Sequence, residues 1–429
     1  MRVAFTTLGC KVNQYETENL SELFAADGFE VVDPSDFADV YVINSCTVTA
    51  SGDKKTRQLL RRLKKQNPAA VAALTGCFPQ AFPDAAEAIP EADVITGSSN
   101  RGDVLPAVKE ALAAGKRVVR ILPHERGEKF EHMSVTGLRG RTRAFVKIED
   151  GCDRYCSYCI IPKARGPVRS KPLNEIREEL SALAENGYRE VVLVGVNLSS
   201  YGKEIGLRLI DAVQAACRTE GIRRVRLGSL EPELLTAEDI RAMAAEEKFC
   251  PQFHLSLQSG CDKTLREMNR HYDSAEYARI VSDIRAAFEN PSITTDVMVG
   301  FAGETEADFE ESLSFVQKIG FAKVHVFSYS RRPGTSADKR PGQVPSSVKE
   351  ERSRRMIEAT DATRKQFLLG QLGKTEEVLV ETTKSPLGYE GFTKNYTPVY
   401  VNCDPALCGN VVKMRLEAVL EGHCVGTLL

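Results

Sequence analysis

Three cysteines in one short stretch have the spacing of a metal-cluster motif. Cys152, Cys156 and Cys159, called here the compact triad, lie in EDGCDRYCSYCIIPKARG with the spacing C-x3-C-x2-C. Three thiolates this close can hold three irons of a cubic iron–sulfur cluster, which leaves the fourth iron open to a substrate or cofactor. The alternative is a zinc site, but such sites usually have four ligands and no histidine lies nearby in the sequence. The spacing therefore favours the iron–sulfur cluster.

Three further cysteines are far apart in the chain but occupy equivalent places. Cys10, Cys46 and Cys77, called here the separated triad, each follow a predicted strand by two or three residues. Because the carboxyl ends of parallel strands open into one crevice, these thiols can converge despite their separation. The alternative is three independent buried cysteines, since free cysteine is commonly buried. Spacing alone leaves both interpretations open.

Composition narrows the class of protein. The 429 residues are 42% hydrophobic and 27% charged, as in an ordinary soluble protein. A formal net charge of −2 excludes a wholly basic nucleic-acid coat but not local basic patches. The longest apolar run, residues 69–74, is too short to cross a bilayer, and the N-terminus lacks the apolar region of a signal peptide. We therefore expect a cytoplasmic protein without membrane contact, in which clustered thiols bind metal rather than form disulfides.

The first part of the chain alternates between predicted strands and helices, which is the pattern of a parallel α/β sheet. The strands are predicted at residues 3–7, 40–44, 71–75 and 93–96, and the helices at 14–26 and 54–65. Glycine, proline and charged residues interrupt this pattern after residue 114. We therefore predict an N-terminal domain over residues 1–114 and a linker over 115–137.

Residues 138–369 are predicted to form a second α/β domain, and residues 370–429 a small all-β barrel. The strands of the second domain are predicted at residues 144–148, 191–194, 225–228, 253–257, 294–299 and 324–329. Helical patterns between them include residues 174–186 and 306–319, and residues 347–369 are predicted to form one helix. Six βα repeats predict a barrel or partial barrel with its functional residues at the carboxyl ends of the strands.

The order of these motifs resembles the radical S-adenosylmethionine methylthiotransferases over nearly the whole chain. The resemblance implies an N-terminal domain with three cysteine ligands of an auxiliary 4Fe–4S cluster, a partial (βα)6 radical core and a C-terminal TRAM domain. It assigns the separated triad to the auxiliary cluster. The compact triad is assigned to the 4Fe–4S cluster whose open iron binds S-adenosylmethionine. Two clusters and S-adenosylmethionine are thus the cofactors that the resemblance implies.

The resemblance also marks residues around S-adenosylmethionine. An aromatic residue precedes the last cysteine of the motif, and the segments VLVGVN, RLGSLEP, HLSLQSG and DVMVGFAGET resemble the family's strand ends. Without the resemblance, each of these segments would more often be a turn or a packing feature. The implied cofactor-binding residues are Tyr158, Gly195, Asn197, Ser229, Glu231, Gln258 and Gly300.

The implied reaction replaces a hydrogen on an unactivated carbon by a methylthio group. Lys11, Val12 and Asn13 follow the first cysteine, and this segment looks like the subfamily that modifies threonylcarbamoyladenosine beside the tRNA anticodon. GVNLSSYG and FSYSRRPGTSA are similar to the same subfamily, although Asn197 replaces its more usual aspartate. The alternatives are the isopentenyladenosine and ribosomal-protein subfamilies. An alternative of another class is a non-enzymatic RNA-binding protein whose cysteines hold zinc.

The resemblance implies a tRNA substrate, a flavodoxin- or ferredoxin-like electron donor and a source of sulfur. Basic patches support RNA binding, because affinity for RNA comes largely from phosphate neutralisation, although a charge run is usually a solvated face. The patches are Lys54, Lys55, Arg57, Arg61, Arg62, Lys64, Lys65, then Arg139, Arg141, Arg143, then Arg331, Arg332, Lys339 and Arg340. The aromatic residues of the C-terminal module could stack on bases or form its core; they are Tyr389, Phe392, Tyr396 and Tyr400.

Two further side chains have open interpretations. Arg165, just past the compact triad, could contact an anionic group of S-adenosylmethionine or substrate, or form a salt bridge within its loop. His254, on the fourth predicted strand of the second domain, is predicted to be a packed or hydrogen-bonded histidine rather than a catalytic one.

Overall fold

The structure, a computed structural model, describes residues 1–137 and 140–429. Arg139, a member of one predicted basic patch, lies outside the described residues. Three β-systems follow one another along the chain: an open parallel sheet, a curved parallel series and a closed barrel. None of the helices in the described ranges combines the length and the apolar character needed to cross a membrane.

The first system is a six-stranded parallel sheet in the order β2-β1-β3-β4-β5-β6. Its strands are β1 (Arg2–Thr7), β2 (Glu30–Val32), β3 (Val40–Ser45), β4 (Val71–Gly76), β5 (Val94–Thr96) and β6 (Val118–Arg120). Its helices are α1 (Lys11–Ala26), α2 (Ala50–Gln66), α3 (Cys77–Ala81), α4 (Pro83–Glu87) and α5 (Val104–Ala114). Ile43 packs with Leu60 of α2 on one face, and Val42 packs with Val108 of α5 on the other. This two-sided burial follows from the alternation of side chains along a strand.

The four predicted strands of this sheet are confirmed to within one or two residues. Helix α2 begins four residues earlier than its apolar pattern indicates, because the Thr49 side chain accepts a hydrogen bond from the Gly52 N–H and caps the helix. Strands β2 and β6 lie at the two sheet edges and were not predicted, since three residues carry little periodicity. Strand β6 falls within the range predicted as a linker, so the sheet extends past residue 114.

The second system is a curved series of parallel strands with helices between them. Its strands are β7 (Arg143–Lys147), β8 (Glu149–Asp150), β9 (Arg169–Ser170), β10 (Glu190–Val194), β11 (Arg224–Leu227), β12 (Ser229–Leu230), β13 (Gln252–Leu255), β14 (Ser292–Val299) and β15 (Lys323–Ser328). Its helices are α6 (Ile161–Arg165), α7 (Leu173–Glu185), α8 (Leu209–Arg218), α9 (Ala237–Ala244), α10 (Asp262–Glu267), α11 (Ser274–Ala287), α12 (Glu306–Ile319) and α13 (Ser346–Leu369). Strands β8 and β9 form a separate antiparallel pair beside the series.

The six strands predicted for this region are confirmed, with one difference. The third predicted strand corresponds to β11, which pairs with β10, and a further short strand after Gly228, β12, pairs with β13. Strands β7 and β15 stand at the two ends of the series. Because one cavity is lined by residues of β7, β10, β11, β12, β13, β14 and β15, the series curves into a barrel. The fold class predicted from the sequence is therefore confirmed.

The third system is a closed five-stranded barrel in the order β16-β17-β18-β20-β19. Its strands are β16 (Thr375–Ser385), β17 (Gly388–Thr393), β18 (Pro398–Val401), β19 (Val411–Leu420) and β20 (His423–Leu428). Buried arginines of the central barrel hold it in place. Arg226 donates hydrogen bonds to the Thr393 carbonyl and pairs with Glu190 at 2.7 Å, while Arg143 pairs with Glu381 of β16. The small barrel therefore closes the amino-terminal end of the central strands.

Candidate functional site

All three parts of the molecule line one chamber. This cavity of about 1150 Å³ lies inside the central barrel. Cys10 and Lys11 enter its lining from the first sheet, Gly195 and Ser229 from the carboxyl ends of barrel strands, and Tyr396 from the small barrel. Pockets that bind small molecules usually have volumes of about 300–1,000 Å³, so this chamber is large enough to hold a nucleoside.

The compact triad lies on a loop that follows β8 and folds back on itself. The Cys152 N–H donates to the Gly166 carbonyl at 3.0 Å, and the Cys159 N–H donates to the Cys156 carbonyl at 2.9 Å. The Ile161 N–H donates to the Cys159 sulfur at 3.4 Å. These bonds curl the loop that carries the three thiols, although no three His, Cys, Asp or Glu side chains of the described residues are grouped as ligands of one metal ion.

A buried arginine stands beside the compact triad. Arg270 donates a hydrogen bond to the Cys156 sulfur at 3.2 Å and pairs with Glu231, one of the predicted cofactor-binding residues. Burial raises the pKa of the Cys159 thiol to about 12 and also raises that of Cys152. A thiol that burial keeps protonated becomes a ligand when a metal replaces its proton, so this donor set fits an iron–sulfur cluster.

The separated triad is assembled by the first sheet. Strands β1, β3 and β4 are neighbours, and Cys10, Cys46 and Cys77 follow their carboxyl ends. A Cβ atom on Gly9 would lie 3.0 Å from the Cβ atom of Cys46, so the first two cysteine loops touch. Burial raises the pKa of Cys77 to about 12, as it does for Cys159. The three thiols thus share one edge of the sheet, as the strand pattern predicts.

Arg165 connects the separated triad to the loop of the compact triad. Its Nε atom donates to the Cys77 sulfur at 3.0 Å, and its Nη2 atom donates to the Asn13 Oδ1 atom at 3.0 Å. The same Asn13 oxygen accepts a hydrogen bond from the Cys10 thiol at 3.3 Å. Arg165 also pairs with Glu16 of α1. In the structure, Arg165 therefore makes a buried contact between domains and also pairs with Asp150 at the start of its own loop at 3.5 Å.

Glu16 is the centre of a buried ion network that sequence reasoning missed. Besides Arg165, it pairs with Arg101 at 2.9 Å and with Lys147 at 2.8 Å, and Lys147 also pairs with Asp150 at 2.6 Å. All five side chains are at most 3% exposed. Buried ion pairs follow no sequence spacing. The single signal was a glutamate on the inward face of α1, between the buried Tyr15 and Leu20.

Glu149 was also missed, and it touches predicted cofactor-binding residues. Its Oε2 atom accepts a hydrogen bond from the Asn197 N–H at 2.7 Å. A Cβ atom on Gly195 would lie 2.6 Å from the same oxygen, so this position requires glycine. Among the described residues, the buried Oε1 atom of Glu149 and the buried side-chain oxygens of Asn197 and Gln258 have no hydrogen-bond partner. Such unpartnered polar atoms fit a site that receives a polar cofactor.

The other predicted cofactor-binding residues occupy two places. Ser229 lines the chamber, and the Glu231 N–H is held by the Ser199 hydroxyl at 2.9 Å near the same strand end. Tyr158 packs edge-on against Phe301, with ring centroids 6.4 Å apart. Gly300 precedes Phe301 with a φ of +70°, and a Cβ atom there would lie 2.3 Å from the Lys349 side chain. Their contacts with S-adenosylmethionine remain a prediction.

His254 lines the chamber as a hydrogen-bonded histidine. Its Nδ1 atom lies 3.0 Å from the Thr294 hydroxyl, and its Nε2 atom lies 3.2 Å from the Asp296 carboxylate. Lys11 reaches the same chamber, where burial and then the positive charge of Arg143 lower its pKa to about 8. At neutral pH, Lys11 therefore still carries a positive charge.

Two of the predicted basic patches meet in one groove outside the barrel. This groove of about 620 Å³ lies between α2 and the loop after β15. Lys54 and Arg57 line it from α2, Arg331 lines it from the loop, and Phe78 and Phe82 contribute apolar surface. Its charge and aromatic surface suit a nucleic-acid strand.

The aromatic side chains of the small barrel have two arrangements. Phe392 and Tyr396 stack with centroids 4.5 Å apart, and both lie beneath the Arg143 guanidinium at the contact with the central barrel. Tyr389 packs against the core of the small barrel, and Tyr400 is buried and stacks on His423. Phe392 and Tyr396 also line the chamber.

Two families match parts of the chain. The Radical SAM superfamily matches residues 146–316, and a family described as Uncharacterized protein family UPF0004 matches residues 2–97. The compact triad lies in the first range and the separated triad in the second.

Curated relatives match nearly the whole chain. The threonylcarbamoyladenosine tRNA methylthiotransferase MtaB of Bacillus subtilis is 36% identical, with 96% of this chain and 93% of the relative covered. The MtaB protein of Aquifex aeolicus is 38% identical, with 89% and 93% covered. The tRNA-2-methylthio-N(6)-dimethylallyladenosine synthase of Pelotomaculum thermopropionicum is 34% identical, with 98% and 96% covered.

Solved structures share the fold. TsrM of Kitasatospora setae, a radical S-adenosylmethionine methyltransferase solved with cobalamin and a [4Fe-4S] cluster, superimposes with a TM-score of 0.57 at 13% identity. The match covers 79% of this chain and 74% of TsrM. At this identity, the likeness supports the architecture and nothing about the substrate.

Proposed function

This chain belongs to the radical S-adenosylmethionine tRNA methylthiotransferases, and we propose that it converts threonylcarbamoyladenosine in tRNA into its 2-methylthio derivative. Membership implies S-adenosylmethionine and 4Fe–4S clusters as cofactors. The substrate is proposed from the MtaB relatives at 36% and 38% identity and from the KVN segment after Cys10. The second candidate substrate is an isopentenyl-type adenosine, because a dimethylallyladenosine synthase is also similar to this chain, at 34% identity.

The six cysteines are the proposed cluster ligands. The compact triad would hold the cluster that binds S-adenosylmethionine, and the separated triad would hold the auxiliary cluster. When bound, these groups supply the one-electron chemistry that breaks an unactivated C–H bond and the sulfur that replaces the hydrogen. Three thiols in each set leave one iron of each cubic cluster without a protein ligand, as both roles require.

The remaining side chains are proposed to position the cofactors and to enclose the substrate. Glu149 and Asn197 present unpartnered oxygens beside Gly195, where a cationic or hydrogen-bond-donating part of S-adenosylmethionine would bind. Arg270 donates to the Cys156 sulfur, and hydrogen bonds to cluster sulfurs raise the reduction potential. A substrate that fills the chamber would displace bulk water from it, which protects reactive species from side reactions.

The observation that carries the proposal is the single chamber that runs from Cys10 to Gly195 and Ser229. An adenosine bound there would lie between the end of the auxiliary site and the predicted S-adenosylmethionine site. The basic groove between α2 and the loop after β15 would hold the RNA backbone, because phosphates seek clustered lysine and arginine. A flavodoxin- or ferredoxin-like electron donor and a sulfur source complete the proposed partners.

Nucleoside mass spectrometry tests this function. The anaerobically reconstituted protein would be incubated with S-adenosylmethionine, a reductant and tRNA that carries either threonylcarbamoyladenosine or isopentenyladenosine. We expect a 2-methylthio product from the first tRNA and none from the second. The opposite selectivity would replace the proposal by the second candidate. Zinc in place of iron, with no product from either tRNA, would support a non-enzymatic RNA-binding protein.

A further inference from the structure

Two cations that lie side by side in the chamber lack an acidic partner within the described residues. The Lys11 ammonium lies 6.0 Å from the centroid of the Phe145 ring, and the Arg141 guanidinium lies 5.3 Å from it. Both side chains are exposed to the chamber that they line. In the part of the chain that the structure describes, neither forms an ion pair with a carboxylate. Lys11 and Arg141 are called here the cation pair, and Phe145 provides the ring beneath them.

Three other charged side chains of the chamber lining are paired within the protein, while Lys323 and Glu390 form no ion pair among the described residues. Arg143 pairs with Glu381, Arg226 pairs with Glu190, and His254 pairs with Asp296. Glu390 is a further carboxylate in the lining, and within the described residues it does not come within ion-pair distance of Lys11 or Arg141. Two adjacent cations repel each other and concentrate positive potential where no carboxylate offsets it, so the pair indicates a place for an anion.

The location of the cation pair fits a group attached to the substrate base. Lys11 directly follows Cys10, whose side chain also lines the chamber. The proposed methylthiolation occurs on the adenine ring, and the threonylcarbamoyl group extends from the same ring and ends in a carboxylate. A carboxylate carried by the base can therefore reach cations beside Cys10 while the ring stays near the reacting groups.

We propose that Lys11 and Arg141 bind the carboxylate of the threonylcarbamoyl group and thereby select this adenosine over one with an apolar substituent. This inference rests on the function proposed above. Arg141 offers a planar fork of N–H donors for the two carboxylate oxygens, and Lys11 offers a point charge beside it. An isopentenyl group would leave both cations desolvated and unpaired, which is how polar sites reject apolar analogues.

An RNA phosphate is the other source of an anion for this pair, and the substrates can separate the two. Three anticodon stem-loops would be compared. The first carries threonylcarbamoyladenosine with its free carboxylate, the second carries the same group as a methyl ester, and the third carries unmodified adenosine. Binding would be measured by fluorescence anisotropy and turnover by product mass spectrometry. For the wild-type protein, we expect the free carboxylate to bind about 10- to 100-fold more tightly than the ester, the size usual for hydrogen bonds to a charged group.

Lys11→Met and Arg141→Met are each expected to lose most of that discrimination. Each variant should bind the free carboxylate more weakly and the ester almost unchanged, and Lys11→Arg should restore part of the preference. Equal losses for all three stem-loops would assign the cations to phosphate instead and overturn the proposal. Retained discrimination in both methionine variants would also overturn it.

Two lysines provide controls. Lys109 lies on the surface of the first domain, where it pairs with Asp27 at 2.9 Å, so Lys109→Met should leave the discrimination intact. Lys323 is another cation in the chamber lining. If Lys323→Met removed the discrimination while Lys11→Met kept it, the carboxylate would belong elsewhere in the chamber. A wild-type protein that binds the free carboxylate preferentially but yields no product would refute the proposed function and leave this inference standing.

Discussion

The compact triad lies on one loop and is contacted from within its own region of the chain, whereas the separated triad is spread over the ends of three strands and is contacted by an arginine from another domain. Around Cys152, Cys156 and Cys159, the local backbone bonds join residues at most 14 positions apart, and the longer contacts, from Met268 and Ala337 to Ser157 and from Arg270 to Cys156, lie within the central region of the chain. Around the separated triad, Arg165 reaches Cys77 across 88 positions and Asn13 across 152. The two sites therefore depend on different parts of the fold, and damage to the contact between domains should affect the second more.

The largest expected effect tests whether the two triads have separate roles. Cys156→Ala should reduce S-adenosylmethionine cleavage to background, because the cluster that binds this cofactor loses a ligand. Cys46→Ala should keep measurable cleavage but form no methylthio product. Each variant should retain about four irons, against about eight in the wild-type protein. The measurements are 5′-deoxyadenosine by liquid chromatography, product nucleoside by mass spectrometry, and iron by elemental analysis.

Cys408→Ala is the matched control, since Cys408 lies in the small barrel and outside both triads. It should leave iron content and both products unchanged. Cleavage that survives in Cys156→Ala would contradict the assignment of the compact triad. A methylthio product from Cys46→Ala would contradict the assignment of the separated triad.

The same difference explains how much could be predicted from the sequence. The compact triad was visible because its spacing is local, and the two α/β regions were visible because strands and helices alternate along the chain. The convergence of Cys10, Cys46 and Cys77 could be predicted only through the topology of a parallel sheet. The contact of Arg165 with Cys77 could not be predicted, because it depends on how two separately folded domains pack.

The burial of charged side chains could not be predicted from the sequence either. Glu16, Arg101 and Lys147 are ordinary surface residue types, and nothing in their spacing indicates that they meet in the interior. Lys11 illustrates a related gap: its segment indicated a substrate class by resemblance, but its position in the chamber beside Arg141 came from the structure. Local patterns thus predicted the elements and the candidate ligands, while contacts between domains determine the electrostatics.

A second prediction compares the two arginines that donate to cysteine sulfurs. Arg165→Met should lower the free energy of unfolding by about 3–5 kcal/mol, because it leaves the buried Glu16 and Asp150 with less compensation. Arg270→Met should cost less, since its partner Glu231 is 16% exposed at the side chain and can be hydrated. Urea unfolding monitored by circular dichroism checks both values. Equal decreases in the free energy of unfolding would show that a contact between domains is no more sensitive to substitution than a contact within one domain.

The smallest expected effect is a pH dependence of opposite sign for one buried carboxyl near each triad. Burial alone would raise the pKa of Glu16, but Arg101, Arg165 and Lys147 outweigh burial and lower it. Burial, and then the negative charge of Asp150, raises the pKa of Glu149 well above its usual range. Glu16 therefore stabilises the fold above the ordinary glutamate pKa and loses this effect as the pH falls below it. Glu149 opposes folding increasingly as the pH rises above that same value.

Glutamine variants separate these two contributions in urea unfolding between about pH 2.5 and pH 8, because the Glu16 effect is lost between about pH 4.5 and its lowered pKa of about 2, and each group contributes a slope of at most about 1.4 kcal/mol per pH unit. Glu16→Gln should lower stability most at neutral pH and flatten its fall in acid, because the arginines and Lys147 lose their carboxylate. Glu149→Gln resembles the protonated side chain, so it should be tolerated at neutral pH and should remove the opposing slope. If both variants shifted the profile in the same direction, the two buried carboxyls would share one protonation state. The electrostatic contrast between the two triads would then be lost.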